Sequence, residues 1–416
     1  MLPSLKITSW PMKVESQFAR LISPCTIEDF FQTYWETKTL YLPRNDASFY
    51  ESVLNPDDID LLLQNKALLA DYNNFRLVDQ GNKLSLEDWC DRHSKSQQYF
   101  INNDRLYSLL HQGLTLTING AHKKIPKLRH FCSALECELK FKLRTNIYIT
   151  PPQAQGLAPH YDEHDVFILQ ITGAKEWKLY HSPVELPSHI RDQSIGRHEL
   201  AEPELTVMLQ PGDLLYIPRG VVHQAASQET TSVHASLGLY PTFAYELLEE
   251  LVTIAQADPA FRKAIPHGFS SSEQQQAFYE SFQTLSQALM SKVKTEELVE
   301  RKHKVFLCDR KSEDQGRFQD LLHLSQLNLN SVVARRPNIL FSVDRSPTQI
   351  ALNFYQKSLT FPIFLAASLT DLIDHPYLAV KDIGGLINDA GRLSLAQNLI
   401  QEGFLMIKEI APASDV

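Results

Sequence analysis

The sequence predicts an α+β chain in which a β-barrel or sandwich is followed by a helical pair and then by a small winged-helix-like tail. Three observations carry this expectation. From Leu114 onward, short strand-like runs recur between turn residues; after Pro241 the apolar spacing becomes helical; from Ser331 strands and helices alternate. The texture changes near Tyr240 and again between Cys308 and Asn338, which divides the chain into regions 1–240, 241–310 and 311–416.

The first region opens with Ser23-Pro24-Cys25-Thr26, where Thr26 can cap a short helix whose Phe30, Phe31 and Tyr34 face inward. Strands are then expected at 114–118, 145–150, 166–171, 176–180, 206–209, 214–217 and 232–240. Short strands at this spacing mean a barrel or a sandwich. Thr172-Gly173 reads as a hairpin between two of them, and Gln210-Pro211-Gly212-Asp213 as a turn between two others. Beyond Pro241, Leu247, Leu248, Leu251, Val252 and Ile254 share one helical stripe that stops at Asp258-Pro259. A second helix follows Ser271-Ser272, with Phe278, Phe282, Leu285, Leu289 and Val293 inward. Such a pair cannot bury its stripes alone, so it packs on the barrel or on a second copy of itself. The tail holds a strand at 339–343 and helices at 361–373 and 393–401.

Composition narrows the function classes. A chain of 416 residues with 43% hydrophobic residues can bury a large core. Its five cysteines (Cys25, Cys90, Cys132, Cys137, Cys308) form no Cys-x-x-Cys pair, which fits free thiols in a reducing compartment and argues against a zinc ribbon. The net charge of −9 lacks the electrostatic footprint of a nucleic-acid binder and suits a basic partner. Seven basic residues face eight acidic ones in the tail from Ser331, so direct nucleic-acid binding is not expected there either. Met1–Lys13 is too short and too polar for a signal peptide or a membrane span, and no membrane association is expected. The expected location is the cytoplasm, or the nucleus in a eukaryotic cell.

The chemistry concentrates in His160-Tyr161-Asp162, read forward to His223 in Pro218-Arg219-Gly220-Val221-Val222-His223. Residues i and i+2 of a strand point to one side, so a single strand can present His160 and Asp162 together. His-x-Asp alone is common. Here a Gly- and Pro-rich entry precedes it, the apolar run Val166-Phe167-Ile168-Leu169 follows, and a Pro-Gly-Asp turn feeds the strand before His223. Two imidazoles and a carboxylate suit Fe(II) with open coordination positions, whereas zinc favours a closed tetrahedron or sulfur. Recruiting His164 or Asp165 instead of Asp162 is the competing triad, and His164 reads better as a neighbour of the site or a surface residue. Lys175 is either one more solvated lysine at a turn or a buried cation that needs a carboxylate, which a dicarboxylate cosubstrate would supply. Asn146 and Tyr148 alternate on one strand, and His234 and Ser236 on another; each pair can face the cavity or be satisfied in the barrel wall.

These stretches resemble a known family: the Jumonji-C, cupin-fold oxygenases of the ribosomal-oxygenase branch. The carrying residues are 146–151, Gly156-Leu157-Ala158-Pro159-His160-Tyr161-Asp162, 166–170, Trp177-Lys178-Leu179-Tyr180, and 211–220 with His223-Gln224-Ala225. The resemblance implies a double-stranded β-helix barrel, a helical dimerisation region and a winged helix, hence a homodimer. It implies Fe(II) with 2-oxoglutarate and O2 as cosubstrates, and hydroxylation of a histidine or arginine side chain in a ribosomal protein. By position it makes His160, Asp162 and His223 the iron ligands and Lys175 the partner of the distal 2-oxoglutarate carboxylate, with Asn146 and Ser236 nearby. Tyr148 then helps hold the target side chain, and Gly238 stands where histidine-hydroxylating members place a serine. A lysine demethylase of the same family and a non-catalytic cupin-fold interaction protein are the rival readings.

Overall fold

Strand-forming runs between Leu40 and Tyr240 build the two sheets of the barrel, together with a third sheet of three short strands at 69–70, 90–92 and 99–101, in the structure, a computed structural model that describes residues 16–65, 69–70, 74–188, 200–264, 271–311 and 314–411. The segment Met1–Lys13 lies outside the described residues. The chain divides into two compact units, one spanning Glu15–Pro241 and one running on from Thr242.

In the first unit, α1 (Gln17–Ile22) is followed by β1 (Leu40–Leu42), β2 (Phe75–Asp79), β3 (Asn82–Lys83), β4 (Thr115–Ile118), α2 (Pro126–Leu139) and β5 (Lys142–Thr150). Then come β6 (Asp165–Thr172), β7 (Lys175–Tyr180), β8 (Leu205–Leu209), β9 (Leu214–Ile217), β10 (Val222–Ser227) and β11 (Ser232–Tyr240). The large sheet has the order β1-β9-β6-β11-β5-β4-β2-β3, and the small one β8-β7-β10. Apolar side chains of both, including Val166, Ile168, Leu215 and Ile217 from the large sheet and Trp177, Leu179 and Val207 from the small one, share a cluster. The opposite face of the large sheet meets Phe18 and Leu21 of α1, Phe30, and Leu128 and Phe131 of α2. Burial on both faces explains why β6 reads as a nearly unbroken apolar run.

Two expected local features change meaning in this topology. Thr172-Gly173 is not a hairpin, because β6 pairs with β9 and β11 while β7 pairs with β8 and β10. The chain turns a corner there from one sheet to the other, as it does again at 210–213 between β8 and β9. The turn chemistry still holds. Gly173 has φ +64°, and a Cβ on it would collide with the Thr231 carbonyl oxygen. Gly173→Ala should therefore lower the stability of the barrel by about 1–3 kcal/mol, read as a drop in the urea midpoint of the whole chain; an unchanged midpoint would show that the corner can relax. Asp213 locks the other corner by accepting from the backbone N–H groups of Arg44 at 2.8 Å and Gln210 at 2.9 Å.

Thr26 does cap its helix, accepting from the Asp29 N–H at 3.0 Å, and Phe30 is fully buried. Phe31, expected inward, is 37% exposed; the helix widens into a π-turn at Phe30–Tyr34, which shifts the side-chain spacing away from the α-helical one.

The second unit begins with α3 (Ala244–Ala257), α4 (Ser272–Lys292) and α5 (Thr295–Asp309). α5 packs on α3 and buries Leu298, Phe306 and Leu307. Only part of the expected stripe on α3 is covered: Leu251 is buried, whereas Leu248 and Val252 are 59% and 57% exposed. On α4 no described side chain is buried, and Phe282 is 56% exposed. After α6 (Arg317–His323), strands β12 (Val332–Arg335), β13 (Phe341–Arg345), β14 (Gln349–Phe354) and β15 (Lys357–Pro362) lead into α7 (Ala366–Asp374). β16 (Leu378–Ala379), α8 (Asp389–Glu402) and β17 (Leu405–Glu409) complete the unit. The sheets β16-β12-β17 and β13-β14-β15 share one core with α7 and α8, centred on Phe341, Phe354, Leu399 and Phe404.

Candidate active site

His160, Asp162 and His223 come together with one ligand atom from each lying within 4.8 Å of the others. The route differs from the one alternation suggested. His160 and Asp162 sit in the extended segment before β6, not in a strand. His160 is held by an antiparallel bridge to His223 at the start of β10, with N–H···O distances of 3.2 and 2.8 Å in the two directions. The Asp162 carbonyl accepts from the Gly220 N–H at 2.9 Å, so the Pro-Arg-Gly corner fixes the carboxylate beside the imidazoles. His223 Nε2 lies 3.8 Å from Asp162 Oδ2.

Both imidazoles are oriented by the backbone. His160 Nδ1 donates to the Ala158 carbonyl at 2.9 Å and His223 Nδ1 to the Val221 carbonyl at 3.0 Å, which leaves each Nε2 lone pair available to a cation. Burial, reinforced by neighbouring His160, holds the His223 imidazole down at about 4, so it is neutral at physiological pH. The donor set fits a divalent metal bound on one side only.

At the closed end of the same cleft lies Lys175, 3% exposed, and its Nζ donates to Thr150 Oγ1 at 2.8 Å. Burial without a carboxylate partner lowers its ammonium to about 7. Two further buried nitrogens on this cleft, His234 Nδ1 and Trp177 Nε1, have no hydrogen-bond partner among the described residues. A polar ligand carrying an anionic end fits this set of atoms, and the cleft encloses about 490 Å³, mouth included.

Residues 119–247 match the family model described as JmjC domain. The chain is 30% identical over 275 residues to the Dictyostelium discoideum bifunctional lysine-specific demethylase and histidyl-hydroxylase NO66, covering 64% of this chain and 52% of that protein. It is 29% identical over 263 residues to Rattus norvegicus ribosomal oxygenase 1, covering 61% and 42%. Residues 119–247 thus carry a JmjC domain, and the chain is similar to ribosomal oxygenases. This JmjC chain spans about half, or less, of the length of the curated relatives it matches. Its fold is also that of the Escherichia coli ribosomal oxygenase YcfD, with a TM-score of 0.51 at 17% identity over 92% of this chain and 98% of that one.

The remaining expected residues of the JmjC site fall into three groups. Tyr148 and Ser236 line the cleft, and Tyr148 stacks on His234 with ring centroids 4.8 Å apart and planes 8° apart. Asn146 is engaged in the wall: its Oδ1 accepts from the Gly120 N–H at 3.2 Å, and its amide hydrogen-bonds the Tyr148 hydroxyl. Gly238 lies next along β11, beneath the His164 ring. Asp165, the rival ligand, points to the helix-side layer, where Tyr216 donates to it at 2.5 Å and burial pushes its carboxyl up to about 6.

Sequence reasoning missed Thr150 as the partner of Lys175, although its spacing from Tyr148 places both on one face of β5. It also missed Thr115 and Gln224 on the cleft wall. Thr115 carries no local signal, because it arrives from β4, which has no other link to the motif, whereas Gln224 follows His223 directly on β10.

Proposed function

We propose that this chain is an Fe(II)- and 2-oxoglutarate-dependent protein hydroxylase that modifies a histidine, or else an arginine, side chain of a ribosomal protein. The observation that carries this reading is the pairing, in one cleft, of a one-sided ligand triad with a buried lysine that has no carboxylate partner of its own. His160 Nε2, His223 Nε2 and an Asp162 oxygen would hold the metal. With 2-oxoglutarate and O2, that metal supplies the oxidising power for hydroxylation, and succinate and carbon dioxide are the by-products. Lys175 Nζ and the Thr150 hydroxyl bind the far carboxylate and set the direction in which the cosubstrate enters. Trp177, His234 and Ile168 wall the cleft and keep water from it, while Tyr148 positions the target side chain. Ser236 lies close enough to share in cosubstrate binding. A net charge of −9 favours encounter with basic ribosomal proteins.

Incubation with Fe(II), 2-oxoglutarate and ribosomal proteins should add one oxygen to a single histidine or arginine, seen by mass spectrometry. Release of formaldehyde from a methylated lysine instead would favour the demethylase activity that the Dictyostelium relative's name carries. No turnover of 2-oxoglutarate would leave the non-catalytic reading.

The regions 241–310 and 311–416 are taken as a dimerisation region and a winged helix. No described side chain of the 21-residue helix α4 is buried, so it lacks within this chain the tertiary packing that supplies most helical stability. The exposed Leu248, Val252 and Phe282 are accordingly assigned to a second copy of the chain. Phe282→Asp should shift the protein from dimer to monomer in sedimentation, and an unchanged mass would remove this face from the interface. No described helix is long and apolar enough to cross a membrane. The working location is where ribosomal proteins are met, the cytoplasm or, in a eukaryote, the nucleolus.

A further inference from the structure

The mouth of the cleft is built differently from its closed end. His234, Ser236, Gly238 and Tyr240 alternate along β11 and face one side of the sheet. The first two line the cleft, and the second two continue the row away from Lys175. Above Gly238 stands the His164 ring: a Cβ at 238 would come within 2.5 Å of its Cδ2 and Nε2. His164 stacks on Tyr240 with ring centroids 4.6 Å apart, and the Arg144 guanidinium lies over the Tyr240 ring at 4.8 Å. Arg144 is also the β5 partner of Gly238. His164 interacts electrostatically with Asp162, Glu163, Arg144 and His160, so it sits at the edge of the ligand triad. It is partly exposed, and no hydrogen bond engages either ring nitrogen among the described residues.

A ring clamped by stacking, with both nitrogens unpaired beside the reacting centre, is a contact waiting for a ligand. We propose that His164 is a specificity-determining residue that hydrogen-bonds the incoming target side chain, and that the target class it selects is a neutral imidazole. The proposal rests on the hydroxylase reading above and narrows its substrate. A neutral imidazole offers one donor and one acceptor and so complements another imidazole in either tautomer. A guanidinium offers five donors and no acceptor, and here it would meet the positive Arg144. The nearby carboxylates do not compensate, since Asp162 is committed to the metal position and Glu163 has partners of its own. Gly238 is needed because any side chain there would displace the ring.

The test uses the full chain loaded with Zn(II) and a non-oxidisable 2-oxoglutarate analogue, probed with an array of ribosomal-protein peptides centred on a histidine or an arginine. The native protein should bind particular histidine peptides and no arginine peptide. His164→Leu should weaken that binding roughly tenfold, the scale of one lost hydrogen bond, and Gly238→Ser should weaken it similarly. His164→Gln keeps a donor and an acceptor and should restore most of the loss; thermal melting checks that each variant is folded. Native-like binding by His164→Leu, failure of His164→Gln to restore anything, or preferential capture of arginine peptides would each overturn the proposal and leave the hydroxylase reading standing. Peptides that bind through His164 but gain no oxygen when Fe(II) and 2-oxoglutarate replace the inert pair would support the contact and remove the reading. Absence of any peptide binding by the native protein would overturn both.

Discussion

Asp162→Ala should reduce 2-oxoglutarate turnover by at least about 100-fold, because replacing even the groups that orient metal ligands costs 10- to 100-fold and this change removes a ligand itself. The loss should be one of metal affinity, visible as weakened Fe(II) or Co(II) binding by calorimetry. The fold should survive: the Asp162 backbone stays anchored through its carbonyl to Gly220, and the side chain is not part of an apolar cluster. His223→Ala should behave alike, since the strand pairing around it depends on backbone groups and on neighbours such as Leu179. Retained turnover in either variant would remove the metal assignment.

Lys175→Met should separate stability from function. Losing the charge that pairs with a buried carboxylate costs about 2–5 kcal/mol, so 2-oxoglutarate affinity should fall roughly 30-fold to several thousand-fold. Without ligand, the same change should stabilise the protein, because it removes a buried ammonium whose only partner is a hydroxyl. The pH dependence gives an independent check. Burial lowers Lys175 from 10.5 to about 7 in the folded chain, so between those values the unfolded state binds more protons than the folded one. Stability contributed by this group must therefore rise as pH increases from about 7 towards 10.5, and the full penalty applies below pH 7. The methionine variant should lose that slope in unfolding experiments, as should native protein saturated with 2-oxoglutarate. A slope that persists in Lys175→Met would assign it to another group.

Much of the barrel was legible because strand content is local. Leu214–Ile217 and Ser232–Tyr240 lie where apolar and β-branched residues sit between turn residues, and the corners fall on Gly173 and Gly212, whose positive φ excludes most other residues. The helical stripes were legible as stripes but not as buried surfaces: Leu248 and Phe282 have the spacing of core residues and yet remain exposed. Periodicity reports which side chains share a face, and it is silent on what covers that face. The same limit hid Thr150 behind Lys175 and His164 over Gly238.

The residues themselves determined the chemistry on offer: two imidazoles, a carboxylate and a lysine, spaced among strands and turns that local conformational preference dictates. Tertiary structure decided how these groups meet. It sent β6 and β7 into different sheets, bridged His160 to His223, and closed the far end of the cleft around Lys175. The physical reason is that backbone preference acts over a few neighbouring residues, whereas the placement of groups distant in sequence follows from hydrogen-bond pairing between strands and from burial on both faces of the large sheet.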